Sequence, residues 1–554
     1  MQNKNSSNPR LISGIIVLIA SNLVVKLLGL FCKIPLHDIL NDQGMGYFNI
    51  AYNIFTTLYL IVIAGLPTSL TIMISGTPGN SLRKKQVERI FQVALTLFFI
   101  LGTIGALFMM IFAKPLAKIM GSDSSYLCIM AISPTLFFIC MSSAIRGYFQ
   151  GHKNMVPTAI SEITEAIGKF TIGIVLGYLA ISRGESIEVA AAYAIAGITI
   201  GVAMGMIFLI ISKVLYNSDK NRNCEVIALA GEGTLSTRKD ILKQMIRIAV
   251  PITFSSIALN LTGIIDTFSI INCLTPAIGK ENAEIAYGNY STLAVTMAHL
   301  PSAFIQPIAS SLTPTLTSAL AAVKSATNSE EKSIKKIAAV KIMHSCLKFA
   351  AIISIPCAIG MSVLSKPILS LLFKNEQSVE SASSLLSILA IGVFFTAMLT
   401  ITTSILQSHG LQRKPIISMY SGIIIKLIAN IVLIPIPTIG IYGAPIGTVI
   451  GYFAMATINF YFIIKYVGIK ANFFKNLMQI LFAALVSTII TILSYQLINR
   501  LGYSSIATIA SIVMTAFAYF VFLFIFRAFE KNDILILPKG DKIYHALKKF
   551  KLIK

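Results

Sequence analysis

Long apolar stretches, separated by short polar and basic segments, recur along the whole chain. Because a membrane-spanning helix needs roughly 20 predominantly apolar residues, this pattern predicts about 14 transmembrane helices. The predicted spans start near residues 11, 45, 89, 124, 157, 187, 241, 286, 341, 383, 415, 442, 474 and 503. The pattern therefore predicts an all-α polytopic membrane protein.

The distribution of basic residues predicts the orientation of these spans. If the N-terminus is cytoplasmic, most of the 45 Lys and Arg residues fall in cytoplasmic segments and few fall in external loops. Positively charged loops stay on the cytoplasmic side of a membrane. We therefore predict a multi-pass protein of the cytoplasmic membrane with both termini in the cytoplasm.

The composition and the distribution of charge limit the classes of binding partner. The net charge is +23, but the basic residues lie in short loops rather than on one soluble face. This distribution excludes nucleic acid as a partner and favours anionic membrane lipids and an anionic substrate. The seven cysteines form no CxxC and no metal-ligand spacing. The sequence thus predicts no metal site, no disulfide framework and no cofactor.

An internal repeat divides the chain. Six residues recur at a constant spacing of 257: Gln150, His152, Lys169, Ile174, Val175 and Leu176 return as Gln407, His409, Lys426, Ile431, Val432 and Leu433. An even number of spans precedes the second copy, so the two halves are parallel repeats. We predict an N-lobe (1–215, spans 1–6), a cytoplasmic linker (216–240), a C-lobe (241–470, spans 7–12), spans 13 and 14 (471–530) and a basic cytoplasmic tail (531–554).

The spans also contain ionisable side chains, which are costly at membrane depth and usually face a water-filled cavity or the bundle interior. Glu162, Glu165 and Lys169 occur in one predicted helix, and spacings of three and four residues place them on one face. The other candidates are Lys26, Asp266 and Lys426 within spans, Arg146 at the cytoplasmic end of the fourth span and Lys33 near the outer end of the first.

Four of these cations, Lys26, Arg146, Lys169 and Lys426, come from both halves and could line one cavity. Lys33 is a further candidate for substrate binding. Ammonium and guanidinium groups at low dielectric suit a phosphate or pyrophosphate, which they bind by charge-assisted hydrogen bonds. Two purely structural alternatives remain open. Glu165 and Lys169 could neutralise each other as an i, i+4 pair, and Asp266 could pair with Lys426 across helices.

No catalytic motif accompanies these charges, because the chain contains no GxSxG, HExxH or P-loop sequence. The sequence therefore predicts a transporter rather than an enzyme. Without an ATPase site, transport would be driven by an ion gradient, by the membrane potential or by substrate turnover.

Several segments together resemble a known family. They read KLLGLFCKIPL, GMGYFNIAYNIF, AGLPTSLTIMIS, RGYFQGHKNMVPTAISEITE, LQSHGLQRKP, IYGAPIGTVIG and ILILPKGDKI. In this order the chain resembles the stage V sporulation protein B branch of the MOP exporter superfamily, which is related to the MurJ-type lipid II flippases. The resemblance implies two pseudo-symmetric six-helix lobes around a central cavity that opens alternately to each side. It also implies that spans 13 and 14 form a groove for a polyprenyl tail.

The substrate that the resemblance implies is an undecaprenyl-pyrophosphate-linked cell-wall precursor, with lipid II as the first candidate. Lys26, by its match to the first segment, is the first choice for a substrate-phosphate contact. Peptidoglycan synthases are candidate protein partners. Some relatives use a sodium site between spans 7 and 11, where Asp266 and Asn430 could contribute ligands. Lys426 lies one turn from Asn430, however, and its ammonium could occupy the place of the cation.

Three other functions remain as alternatives. A polysaccharide or O-antigen-type flippase would move a different lipid-linked oligosaccharide. A MATE-type cation-coupled multidrug exporter would need an acidic cavity, which the basic inventory disfavours. A membrane glycosyltransferase or ligase would need an essential external acid such as Asp38 or Asp42.

Overall fold

The structure of the protein, a computed structural model, describes residues 9–63, 65–77, 83–152, 154–222, 236–326, 328–467, 473–500, 504–526 and 528. These residues form helices and turns, with no strand among them. Much of the predicted linker and the whole predicted basic tail, 531–554, lie outside the described residues. The helices are α1 (Pro9–Ile63), α2 (Leu66–Ser75), α3 (Arg83–Ile111), α4 (Ala113–Ile119), α5 (Tyr126–Gly151), α6 (Val156–Ser182), α7 (Ile187–Arg222), α8 (Arg238–Ile278), α9 (Lys280–Asn289), α10 (Val295–Ala298), α11 (Ser302–Lys324), α12 (Ser329–Val363), α13 (Ser365–Leu372), α14 (Glu376–Ser408), α15 (Arg413–Leu433), α16 (Gly443–Val467), α17 (Phe473–Asn499) and α18 (Ser504–Ile525).

Within the described part of the chain, 13 helical segments are long and apolar enough to cross a membrane. The prediction of an all-α polytopic membrane protein is therefore confirmed. The first two predicted spans follow each other within α1, which changes direction at Asn41. This residue has a φ of 54°, a conformation that asparagine tolerates better than most residues with a side chain.

Local sequence explains several helix boundaries. Helix α6 begins with Val156 and Pro157, and the fixed φ of proline suits a first turn. Thr237 caps α8, where its hydroxyl accepts a hydrogen bond from the Asp240 backbone N–H at 3.2 Å. Asn375 caps α14 in the same way, accepting from the backbone N–H groups of Gln377 and Ser378. Each cap satisfies donors that a helix start leaves open.

The chain forms two compact units, Met1–Gly288 and Asn289–Lys554. In the first unit α7 packs on α5 and α6, and α1 packs on α6 and α8. In the second unit α16 packs on α14 and α15, and α12 packs on α14 and α17. The lobe boundaries given above rest on the sequence repeat and stay a prediction.

Small residues bring α6 and α7 into backbone contact. A Cβ added at Gly197 would lie 2.4 Å from the Cα of Gly173, and one added at Gly201 would lie 2.3 Å from the backbone nitrogen of Lys169. Membrane helices that carry glycine at the contact approach closely, which strengthens their van der Waals packing. This contact fixes the backbone of the helix that carries the candidate charges.

Candidate functional site

The candidate site of the first unit is centred on an ion pair between α5 and α6. The Arg146 guanidinium donates to the Glu165 carboxylate at 2.8 Å and to the Ser161 hydroxyl at 3.1 Å. The two charged side chains are only 13% and 12% exposed. Such a charge-assisted pair is strong because little water competes for it.

Glu162 lies next to this pair on α6. Its Oε2 atom is buried and has no hydrogen-bond partner among the residues that the structure describes. A buried carboxylate oxygen without a donor is unfavourable, so this side chain is suited to accept a proton or a cation.

Lys169 lies one turn after Glu165 and is half-buried. Its ammonium nitrogen lies 5.4 Å from the centre of the Phe170 ring. Glu165, which the sequence alone could have paired with Lys169, forms its ion pair with Arg146. A Cβ at Gly201 of α7 would lie 2.8 Å from the Cβ of Lys169, so the lysine begins directly against the neighbouring helix.

The second unit repeats this geometry around Lys426 of α15, whose side chain is buried at 1% exposure. A Cβ at Gly451 of α16 would lie 2.9 Å from the Cβ of Lys426. The repeated histidines also match, because Nδ1 of His152 and of His409 each donates to the backbone carbonyl four residues earlier, at 2.9 Å. The sequence repeat therefore corresponds to equivalent local structures.

The two units differ where the first one carries its charges. Ser161 and Ser418 are equivalent, and both donate to the carbonyl three residues earlier, at 2.7 and 2.9 Å. At the same spacing, Arg146, Glu162 and Glu165 correspond to Thr403, Met419 and Gly422.

Neutral groups make the contacts at this place in the second unit. The Ser418 hydroxyl shares its proton between the Pro415 carbonyl and the side-chain oxygen of Asn459, which lies 2.5 Å away. The Asn459 amide donates to Thr402 and Thr403 at 3.1 Å each. The helices of the second unit thus pack at this place without counterparts of Arg146, Glu162 and Glu165.

The remaining sequence-predicted residues lie on three helices. The side chain of Lys26 in α1 is outside the described part of the structure. Lys33 is partly buried in α1, and Asp266 is 7% exposed in α8. Asp266 belongs to the first unit, whereas Lys426 and the fully buried Asn430 belong to the second. The substrate-binding and ion-coupling roles of all these residues stay predictions.

Comparison with known proteins identifies the family. A family model described as a polysaccharide biosynthesis protein matches residues 11–320, more than half of the chain. The chain belongs to this family. A second model, MatE, matches residues 288–434.

Two relatives of this family member come from Bacillus subtilis (strain 168). Lipid II flippase MurJ is 23% identical over 521 residues, which cover 91% of this chain and 92% of the relative. Stage V sporulation protein B is 21% identical over 532 residues, which cover 95% and 97%. The solved structure of lipid II flippase MurJ in an inward closed conformation has a TM-score of 0.62 at 14% identity, covering 92% of this chain and 98% of that one. The predicted resemblance is confirmed, because the chain is similar to stage V sporulation protein B and to MurJ along most of its length and shares its fold with solved structures of MurJ and of a MATE family transporter of the MOP superfamily.

The structure also shows a buried carboxylate in this family member that the sequence did not single out. Glu284 of α9 is 3% exposed and accepts hydrogen bonds from the hydroxyls of Tyr47, at 2.9 Å, and Ser122, at 2.5 Å. A Cβ at Gly46 would lie 2.8 Å from the Glu284 carbonyl, so α1 and α9 touch here. The sequence offers only one sign of this contact, the polar hydroxyl of Tyr47 within the apolar run GMGYFNIAYNIF. Its partner Glu284 is 237 residues away and could not be identified from the sequence.

Proposed function

We propose that this protein moves an undecaprenyl-pyrophosphate-linked cell-wall precursor, with lipid II as the first candidate, across the cytoplasmic membrane by alternating access. The homology to a lipid II flippase over most of the chain supports this function. The observation that carries the proposal is the charged cluster of Arg146, Glu162, Glu165 and Lys169 in the first unit. The equivalent helices of the second unit keep only the lysine.

Ionised groups cost free energy when they are buried in a membrane protein. Each ionised group inside a membrane protein must be compensated, and the second unit builds the same helix contacts from Thr403, Met419 and Gly422. The charges of the first unit are therefore not required by the fold, and a role in transport explains their presence. We assign Lys169, together with Lys26, to the substrate pyrophosphate. Arg146 is compensated by Glu165, so it acts by holding the cluster in place.

The apolar part of the substrate would follow the last two helices. Helices α17 and α18 pack on each other, and their outward faces expose large apolar side chains such as Leu493, Leu497, Val513 and Phe517. A polyprenyl chain has the same chemistry as the lipid tails that such faces contact. We propose that this pair receives the tail.

Transport of the substrate also needs a driving force. Among the described residues, no group of three or more His, Cys, Asp or Glu side chains lies close enough to hold a metal ion. We propose that coupling uses the membrane potential or a proton or sodium gradient. Glu162 is the group that would take up the ion, because its buried Oε2 lacks a partner in the described part of the chain. We propose anionic lipids as partners in the membrane and peptidoglycan synthases as protein partners.

The test is complementation. The chain is expressed in a bacterium whose own lipid II flippase is being depleted, and survival is followed together with lipid II exposure on the outer face. The expected result is rescue that Lys169→Gln abolishes at unchanged membrane abundance. Lys465→Gln is the matched control, because it removes the same charge from an exposed lysine that lies over the rings of Tyr461 and Tyr466.

Two results would redirect the proposal. Failure to rescue by a well-inserted protein would exclude lipid II and leave another lipid-linked oligosaccharide as the substrate. The MatE match keeps a cation-coupled drug exporter as a second candidate function. Cation-dependent efflux of a cationic dye, lost in the Glu162→Gln variant, would establish that function instead.

A further inference from the structure

A large pocket lies at one end of the second unit, where α12 ends, α13 follows and α14 begins. Its volume is about 1180 Å³, and the last turns of α17 complete its wall. Binding pockets for small molecules typically measure roughly 300–1,000 Å³, so a headgroup of several chemical groups fits this space. The orientation predicted from the basic residues makes this end external.

The polar lining combines both signs of charge with an aromatic ring. It includes Lys366, Lys374, Glu376, Glu380, Tyr495 and Gln496. Lys366 forms an ion pair with Glu380 in which the two side chains are 60% and 65% exposed. The hydrogen bond to Glu380 raises the pKa of the Lys366 ammonium, which favours its cationic form further. Exposed pairs of this kind are weak, so a ligand can exchange with either partner.

The surroundings place the pocket at a membrane interface. Leu369 of α13 and Phe373 are buried in the unit, which anchors the short helix beside the pocket. On α17, Ile489, Leu493 and Leu497 are 58%, 60% and 68% exposed just before and beside the pocket wall. Strongly exposed apolar side chains face lipid tails in a membrane protein, whereas lysine and tyrosine collect at the level of the headgroups. The pocket therefore opens where these two environments meet.

The first unit contains a smaller version of the same arrangement. Its short helix α4 carries Lys114 and Pro115, as α13 carries Lys366 and Pro367. The pocket beside α4 measures about 560 Å³ and is also lined by Lys118, Asp123, Tyr126 and Glu188. Lys114 lies 5.4 Å from the centre of the Tyr126 ring, and Asp123 pairs with Lys280 at 2.5 Å. A Lys-Pro helix, carboxylates and a tyrosine thus recur around a pocket in both units.

We propose that the pocket beside α13 binds the phosphate headgroup of a membrane lipid, with Lys366 and Lys374 on the phosphate and Glu376 and Glu380 on ammonium or hydroxyl groups of the same headgroup. Both signs of charge are needed because lipid headgroups carry cationic or hydroxylated groups beside their phosphate. The phosphate can belong to a bulk phospholipid or to a polyprenyl-linked glycan. The proposal concerns binding alone and does not depend on the transported substrate.

The absence of tryptophan makes the site measurable. Tyr495→Trp introduces a single tryptophan at the pocket wall of the full-length protein in detergent. Its fluorescence is titrated with short-chain phosphatidylglycerol, phosphatidylethanolamine and a short-chain polyprenyl diphosphate, and with a short-chain diacylglycerol that lacks phosphate. Native mass spectrometry of the unsubstituted chain counts bound lipids and shows whether the reporter itself disturbs binding.

We expect saturable binding of the phosphate-bearing lipids, weakened about tenfold by Lys366→Gln with Lys374→Gln, since charge-assisted hydrogen bonds are among the strongest. The control is Lys414→Gln with Lys465→Gln, which removes the same charge from a partly buried lysine of α15 and an exposed lysine of α16. Neither lysine lines the pocket, so this double variant should leave affinity unchanged. Preference for phosphatidyl lipids or for the diphosphate identifies the natural source. Equal binding of diacylglycerol, or equal loss in both double variants, would overturn the proposal.

Discussion

The buried pair between Arg146 and Glu165 allows a quantitative test of the charged cluster. Arg146→Thr introduces the residue found at the equivalent position of the second unit, Thr403, and leaves the Glu165 carboxylate 12% exposed without its cation. A second variant combines Arg146→Thr with Glu165→Ala, which approaches the small residue of the second unit, Gly422. The comparison separates the cost of an isolated charge from the value of the pair.

The expected magnitudes follow from the burial and the contacts. Breaking a buried pair by removing one partner costs about 3–5 kcal/mol. The two bonds of the guanidinium, to Glu165 and to Ser161, lie in the same range at about 1.5–3 kcal/mol each. Removal of both partners leaves neither charge of this pair without its counter-ion. The double variant should therefore be about 2 kcal/mol more stable than Arg146→Thr alone.

Unfolding in mixed detergent micelles, titrated with SDS and followed by circular dichroism, measures these differences. Flippase complementation is measured on the same variants. We expect the double variant to fold and insert but not to transport. The fold accepts neutral residues at these positions, whereas transport of the substrate requires the charges. A double variant no more stable than the single one would refute the energetic reasoning. A stable and fully active double variant would refute the functional role of the pair.

Two further predictions concern the same helices. Glu162→Gln should retain membrane abundance but remove the pH dependence of transport in proteoliposomes, because the amide cannot exchange a proton; an unchanged pH profile would contradict a proton-coupling role. Gly201→Ala should cost about 1–3 kcal/mol, because the new Cβ would lie 2.3 Å from the backbone nitrogen of Lys169. Its control, Gly360→Ala, has nothing within 4 Å of the added Cβ and should gain about 0.5–1 kcal/mol. Equal shifts in thermal unfolding of the two glycine variants would contradict the helix contact.

The hydrophobic pattern and the repeat predict much of this molecule because both are local in sequence. Apolar runs of the right length indicate membrane helices, and His152 and His409 occupy equivalent helix ends with the same hydrogen bond. The lysines at 169 and 426 follow from the same alignment of the chain with itself. These inferences need no knowledge of which helices touch.

Partner choice could not be predicted, because it depends on contacts between helices. The i, i+4 rule applies within one helix and predicts that Glu165 pairs with Lys169. The actual partner of Glu165 is Arg146, which lies 19 residues earlier on α5. Glu284 shows the same limit, since its partner Tyr47 is 237 residues away. Only the fold brings these groups together.

The contacts of Lys169 with Gly201 and of Lys426 with Gly451 have a consequence for how members of this family diversify. In each unit the helix pair depends on the bare glycine backbone and on the first carbon of the lysine side chain. At Gly201 the contact reaches the Cβ of Lys169, and at Gly451 it reaches the Cβ and Cγ of Lys426. An exchange of the group at the end of the half-buried Lys169 side chain therefore changes the chemistry of the site and keeps this glycine contact in place. The glycines hold the architecture constant while selection acts on the ends of the side chains. A single membrane scaffold can in this way acquire substrates of different charge.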